Sequence, residues 1–247
     1  MYRNINKKIF HVIMIIVIIF AILSVGGILV LRYQAEGETN TPFKITKISI
    51  IESVEGIENA GATERWNLGV NQNNDIYIYV EKNSNYGKTE IIEDIHINNI
   101  IINKQNEIGE KKIYKPVTDE KRMFINATEN EISEITYIGE LEPNIKEQKI
   151  SNQGGIVAFR YAINNVAQYI SASEEQIDHS QLLKLTNTKE ENLKTNLSFD
   201  IIIKLISGKK YQSTINLEIP SQEIIEQGTF SQEITELDDI IFKRIEN

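Results

Sequence analysis

Cysteine is missing from all 247 residues, histidine occurs three times, proline four times and tryptophan once. Without a thiol there is no disulfide framework, no lipid-modified cysteine, no thiolate metal site and no cysteine nucleophile of the sortase or transpeptidase kind. Three histidines leave little for zinc or for a charge-relay triad. His11 falls inside a long apolar run, His96 inside an apolar strand pattern, and His179 in the contiguous Asp178-His179-Ser180. Triads are assembled from separated positions, and neither G-x-S-x-G nor H-E-x-x-H occurs.

Phosphate-cradling glycine motifs are also absent. Ser207 and Lys210 match the S-x-x-K spacing of penicillin-interacting enzymes, but on a turn between two strand patterns and without the companion S-D-N or K-T-G. Asp238-Asp239 is a short acidic pair with no EF-hand loop around it, and reads as a solvated strand start. The triplets Asn126-Ala127-Thr128 and Asn196-Leu197-Ser198 fit glycosylation sequons, as an Asn-rich chain will by composition. No catalytic, cofactor-binding or metal-binding residue is assigned, no cofactor is implied, and the expectation is a protein that is not an enzyme.

What the chain does have, near its beginning, is an uninterrupted apolar stretch from Ile9 to Leu31, in which 17 of 23 residues are Ile, Leu, Val or Phe. At about 1.5 Å per residue a helix of that length spans roughly 34 Å, enough for a hydrocarbon core of about 30 Å. A cleavable signal peptide usually has a shorter core followed by small residues. Ser24-Val25-Gly26 imitates such a site, but Ile28 to Leu31 resume the apolar run, which favours a retained anchor. His11, near one end, can stay neutral or reach the headgroups. Arg3, Lys7 and Lys8 crowd the short side of the span, so the positive-inside rule places residues 1–8 in the cytoplasm and residues 33–247 outside it. The bilayer is thus the one partner the sequence specifies.

Charge is uneven. Up to position 32 the only charged side chains are Arg3, Lys7, Lys8 and Arg32, so the rest of the chain holds 22 of the 26 basic residues and all 35 acidic ones, a net −13. Such a body repels polyphosphates, and nucleic acid is excluded as a partner.

After a polar linker (32–42), period-two patterns dominate. Asp75 to Val80 alternates faces as a strand does, with Asn71 to Asn74 supplying turn chemistry before it and Arg65 to Val70 as its partner strand. Ile91 to Asn103 is a second long strand candidate. Phe199–Ile206 and Lys210–Ile219 form a hairpin whose three-residue loop Ser207-Gly208-Lys209 sets Leu205 opposite Tyr211 and Phe199 opposite Leu217, with Pro220 ending the second strand. Ser173 and Gln176 resemble a capping box, which permits one short helix near 173–184, a loop and strand being the alternative. Asp239–Ile245 reads as a closing edge strand. Ser221-Gln222-Glu223-Ile224 recurs as Ser231-Gln232-Glu233-Ile234, an echo too short for a repeat architecture.

The fold class expected is therefore mainly β, an N-terminal transmembrane helix followed by a β-sandwich-like extracytoplasmic region. About fourteen strand candidates fit two consecutive units, 43–145 and 146–247, with a boundary near Glu140–Asn152; one larger sandwich over 43–247 is the alternative.

The stretches Trp66–Lys82 (WNLGVNQNNDIYIYVEK) and Ile150–Tyr161 (ISNQGGIVAFRY), with the terminal IIFKR, resemble a set of uncharacterised membrane-anchored envelope proteins of Gram-positive bacteria. The resemblance implies an anchored envelope protein and carries over no activity, ligand or site residue. The function expected is a non-catalytic envelope protein whose β region mediates interaction, assembly or ligand sensing, with a protein partner in the envelope. The alternatives are an extracytoplasmic glycan hydrolase using Glu/Asp pairs, and a pilin-like subunit, for which the usual glycine and glutamate around the apolar helix are missing near Lys8–Ile13.

Overall fold

The computed structural model describes residues 2–36, 40–61, 63–104, 106–117, 124–140, 148–173 and 175–245. Residues 37–39 of the expected linker and 141–147 of the expected boundary lie outside the described residues. A single long helix, α1 (Tyr2–Glu36), precedes the β region. It carries the apolar run, none of which is buried. The helix overruns the expected linker start at residue 32, because Gln34, Ala35 and Glu36 are good helix formers and elongation on an existing helix is cheap.

Among the described residues eleven strands follow: β1 (Phe43–Glu58), β2 (Trp66–Lys82), β3 (Ile92–Lys104), β4 (Glu110–Tyr114), β5 (Ile135–Glu140), β6 (Lys149–Ser151), β7 (Gly154–Ser171), β8 (Thr195–Leu205), β9 (Lys210–Ile219), β10 (Thr229–Ile234) and β11 (Lys243–Ile245). Two short helices, α2 (Leu182–Leu185) and α3 (Gln222–Gln227), lie in the connections at one end. The protein is mainly β, as its patterning predicts. One sheet has the order β10-β1-β2-β7-β4 and the other β11-β9-β8-β3-β5-β6. Every pairing is antiparallel except β5 with β6. Each sheet draws strands from both sides of residue 145.

The sheets face each other across one apolar core. Phe159 of β7 and Phe199 of β8 meet across it edge to face, ring centroids 5.1 Å apart. Burying each such side chain contributes about 2 kcal/mol. In β1 the inward row is Phe43 and Ile45, then Ile48, Ile50 and Val54. The change of parity is made by a bulge between Ile45 and Lys47, where one extra residue returns the row to the core.

Three expectations are corrected. Asn71 to Asn74 form no turn, and the stretch up to Val70 is no separate strand: β2 begins at Trp66 and continues through them, paired with β1 on one side and, across a register shift between Val70 and Gln72, with β7 on the other. Local turn propensity yields because these side chains find partners on neighbouring strands. The β8–β9 hairpin is shifted by two residues, with Ile203 opposite Tyr211 and Phe199 opposite Ile215. Its three loop residues are Ile206, Ser207 and Gly208. Gly208 sits at φ +83°, and Leu205 closes the loop by donating to the Lys209 carbonyl at 2.9 Å. A shift of two keeps every side chain on its face, so both apolar rows still meet the core. The final edge strand is shorter than expected: only Lys243–Ile245 pairs, with β9.

The 173–185 region holds a 3-10 turn at His179–Gln181 running into α2, rather than a helix begun at Ser173. The cap is Asp178, whose carboxylate accepts from Ser180 N at 2.9 Å.

Candidate functional site

Asn71-Gln72-Asn73-Asn74-Asp75 places five polar residues in succession on β2, a central strand, and the first four are buried. Side chains alternate across a strand, so the run feeds two polar clusters, one on each face of the sheet.

On the outer face the Arg160 guanidinium grips Asp75 with two nitrogens, at 2.5 and 3.0 Å, and donates to Asn126 Oδ1 at 2.9 Å. The Asn126 amide donates to Asn73 at 2.7 Å, and Asn164 donates to the Tyr114 hydroxyl at 2.8 Å. Phe124 covers the group, with the guanidinium 5.2 Å from its ring centre. Burial raises the Asp75 carboxyl, and Arg160 works against it. The fork geometry and nearly complete pairing make this cluster a clamp that holds the 124–127 segment across the sheet.

On the inner face Glu52, fully buried, occupies the position on β1 where the row Ile48, Ile50, Val54 calls for an apolar residue. Gln72 Nε2 donates to Glu52 Oε2 and to Asn74 Oδ1, both at 3.2 Å, and Asn74 donates to the Tyr161 carbonyl at 3.1 Å. Glu52 Oε1 and Gln72 Oε1 are buried with no donor. Burial pushes the Glu52 carboxyl up to about 8, against the Gln72 hydrogen bond, and Glu223 on α3 pushes it the same way as burial. At neutral pH the group is therefore an acid carrying its proton. An ionised Glu52 would leave both of these buried oxygens as acceptors without a donor, which burial disfavours. This cluster can hold and release a proton. Closed off from solvent, Glu52 cannot meet a glycan, so it does not serve as one of a hydrolase's two carboxylates.

The residues singled out in the sequence are not brought together. His179 Nδ1 accepts from the Gly56 backbone N–H at 3.2 Å, while Asp178 bonds the Ser180 backbone instead of the imidazole. His96 Nδ1 lies 2.6 Å from Thr136 Oγ1, and its Nε2 is 3.4 Å from Glu134. Ser207 is in the hairpin loop and Lys210 starts β9. Asp238 and Asp239 lie exposed between β10 and β11, and His11 is on α1. Asn126 is occupied in the clamp, and Asn196 is exposed on β8. Among the described residues no group of three His, Cys, Asp or Glu side chains is placed to hold a metal.

Surface clefts are shallow. One of about 450 Å³ lies along β9 and β11, lined by Gln212, Thr214, Asp239 and Lys243. Another of about 500 Å³ lies beside Lys44, Thr235, Asp238 and Phe242. Sequence reading missed Glu52, Gln72 and Arg160. The available signal was Glu52 itself, an acidic residue in phase with an apolar row.

The chain matches no family model, and no curated protein or solved structure is similar to it.

Proposed function

We propose that this protein is a single-pass membrane-anchored binding module whose β region works outside the cytoplasm through a protein partner in the envelope. The observation that carries the reading is the span Ile9–Leu31: 23 residues of mean hydropathy 3.1, with none of it buried against the rest of the chain. In water that surface would be strongly unfavourable, whereas in a bilayer it is favourable by several kcal/mol. Arg3, Lys7 and Lys8 before the span support a cytoplasmic N-terminus. The β region brings its own core and two paired sheets, and a rigid scaffold of this kind suits presentation of a surface. Membrane-anchored envelope proteins of Gram-positive bacteria are the class proposed.

A membrane-impermeant lysine-reactive cross-linker, applied to intact cells and read by mass spectrometry, tests both halves. The expected result is modification of exposed Lys189 and Lys184 with a reproducible partner attached. Modification only after lysis would overturn the location; modification with no partner above background would overturn the binding role.

A further inference from the structure

The β region is fixed to the chain from Thr41 onward. Thr41, Pro42 and Phe43 are buried, the Pro42 carbonyl accepts from Asn83 N at 2.9 Å, and the Thr41 carbonyl from Asn83 Nδ2 at 2.8 Å. Between the apolar run, which ends at Leu31, and that attachment lie five helical rises to Glu36 and five further steps. At about 1.5 Å and at most about 3.6 Å each, they reach about 25 Å. The 17 residues of β2 extend roughly 55 Å. The tether is therefore short against the long axis of the body, and the end holding Thr41 stays close to the hydrocarbon edge.

Exposed apolar side chains lie at both ends, Ile57, Ile170 and Leu185 at the far one, so the tether selects which end meets the bilayer. Around Thr41 gather the β2–β3 connection, the β8–β9 loop and the β10–β11 connection. There Ile206, at 64% exposure, crowns the hairpin, Ile241 is 40% exposed, and Tyr86 lies under the Lys209 ammonium, 6.0 Å from its ring centre. Lys44, Lys82 and Lys88 are exposed at the same end, with Glu81, Glu236, Asp238 and Asp239 also there. Apolar tips, a tyrosine and long-stemmed lysines are the composition of a membrane interface. At the far end Glu175, Asp178, Glu190, Glu191, Glu223 and Glu226 crowd the connections, against Arg65, Lys184, Lys189 and Lys194. That pole is acidic, and the short tether keeps the opposite end next to the headgroups.

We propose that the tethered end is a lipid-contact surface: Ile206 of the β8–β9 loop reaches the headgroup layer of an anionic bilayer, flanked by Tyr86 and Lys88, while the acidic end points away. The inference rests on the anchored reading above. The absence of cysteine makes it testable in the full chain. Ile206→Cys and, separately, Lys189→Cys at the far end are labelled with an environment-sensitive fluorophore. Each is reconstituted into phosphatidylcholine–phosphatidylglycerol vesicles carrying a headgroup-attached quencher. The expected result is a blue-shifted label at 206 that loses most of its emission to the quencher, and a label at 189 that keeps it. Vesicles that carry the protein on flotation, with both labels equally unquenched, overturn this inference and leave the anchor standing. Failure to float overturns both.

Discussion

Gln72 Nε2 donates to Glu52 Oε2 at 3.2 Å while the other oxygen of each side chain is buried without a donor, so a charge on Glu52 is poorly compensated. The folded carboxyl titrates at about 8, against an ordinary value of 4.5. Folding therefore takes up a proton between those two values. The protein has the full contribution of the protonated pair below about pH 4.5. It loses it at about 1.4 kcal/mol per pH unit up to about pH 8, and the loss then levels off. Glu52→Gln cannot ionise and removes this slope. In denaturant unfolding of the full chain in detergent, the variant should match the parent near pH 4.5 and exceed it by a few kcal/mol at pH 8. Parallel pH profiles for the two proteins would show that Glu52 is ionised in the fold.

Arg160 is 8% exposed and Asp75 carries its compensating charge. Asp75→Ala strands a buried cation and should cost about 3–5 kcal/mol. The double variant Asp75→Leu, Arg160→Met removes both charges and should recover a large part of that loss. Thermal unfolding of the three proteins checks this; a double variant no more stable than Asp75→Ala alone would mean that the pair adds net stability beyond avoiding an orphan charge.

Gly228 ends α3 at φ +72°, and a Cβ there would stand 2.1 Å from the Ser180 carbonyl oxygen, a backbone atom. Gly61 has φ +77° with nothing within 4 Å of its Cβ position. Gly61→Ala should therefore cost only the left-handed conformation, about 1 kcal/mol, and Gly228→Ala that plus a backbone displacement, about 3 kcal/mol in all. Equal unfolding midpoints for the two variants would contradict the close packing of the β10 start on the 3-10 turn.

The β character and the apolar span were legible because both depend on periodicity along the chain. Phe199 to Leu205 alternates without interruption, and the structure keeps those faces even though the loop begins one residue earlier than expected. What was not legible depended on partners distant in sequence. Asn71 to Asn74 read as a turn until β1 and β7 bring Glu52, Asn165 and Tyr161 against them. Ser-Gln-Glu-Ile at 221–224 opens a helix and the same four residues at 231–234 lie in a strand. Local propensity is identical in the two copies, so the surroundings decide: Gly228 closes the helix in a left-handed cap, and β1 offers the second copy an edge to pair with. The Arg160 clamp joins residues up to 85 positions apart, which no local pattern announces.

The central claim is that Ile9–Leu31 stays in the bilayer as an uncleaved anchor. Alkaline carbonate extraction of cell membranes, followed by intact-mass measurement of the protein, tests it directly. The account predicts that the chain remains with the lipid pellet at a mass that includes the apolar span. Recovery in the soluble fraction, or a mass corresponding to a start beyond Ser24, would contradict it.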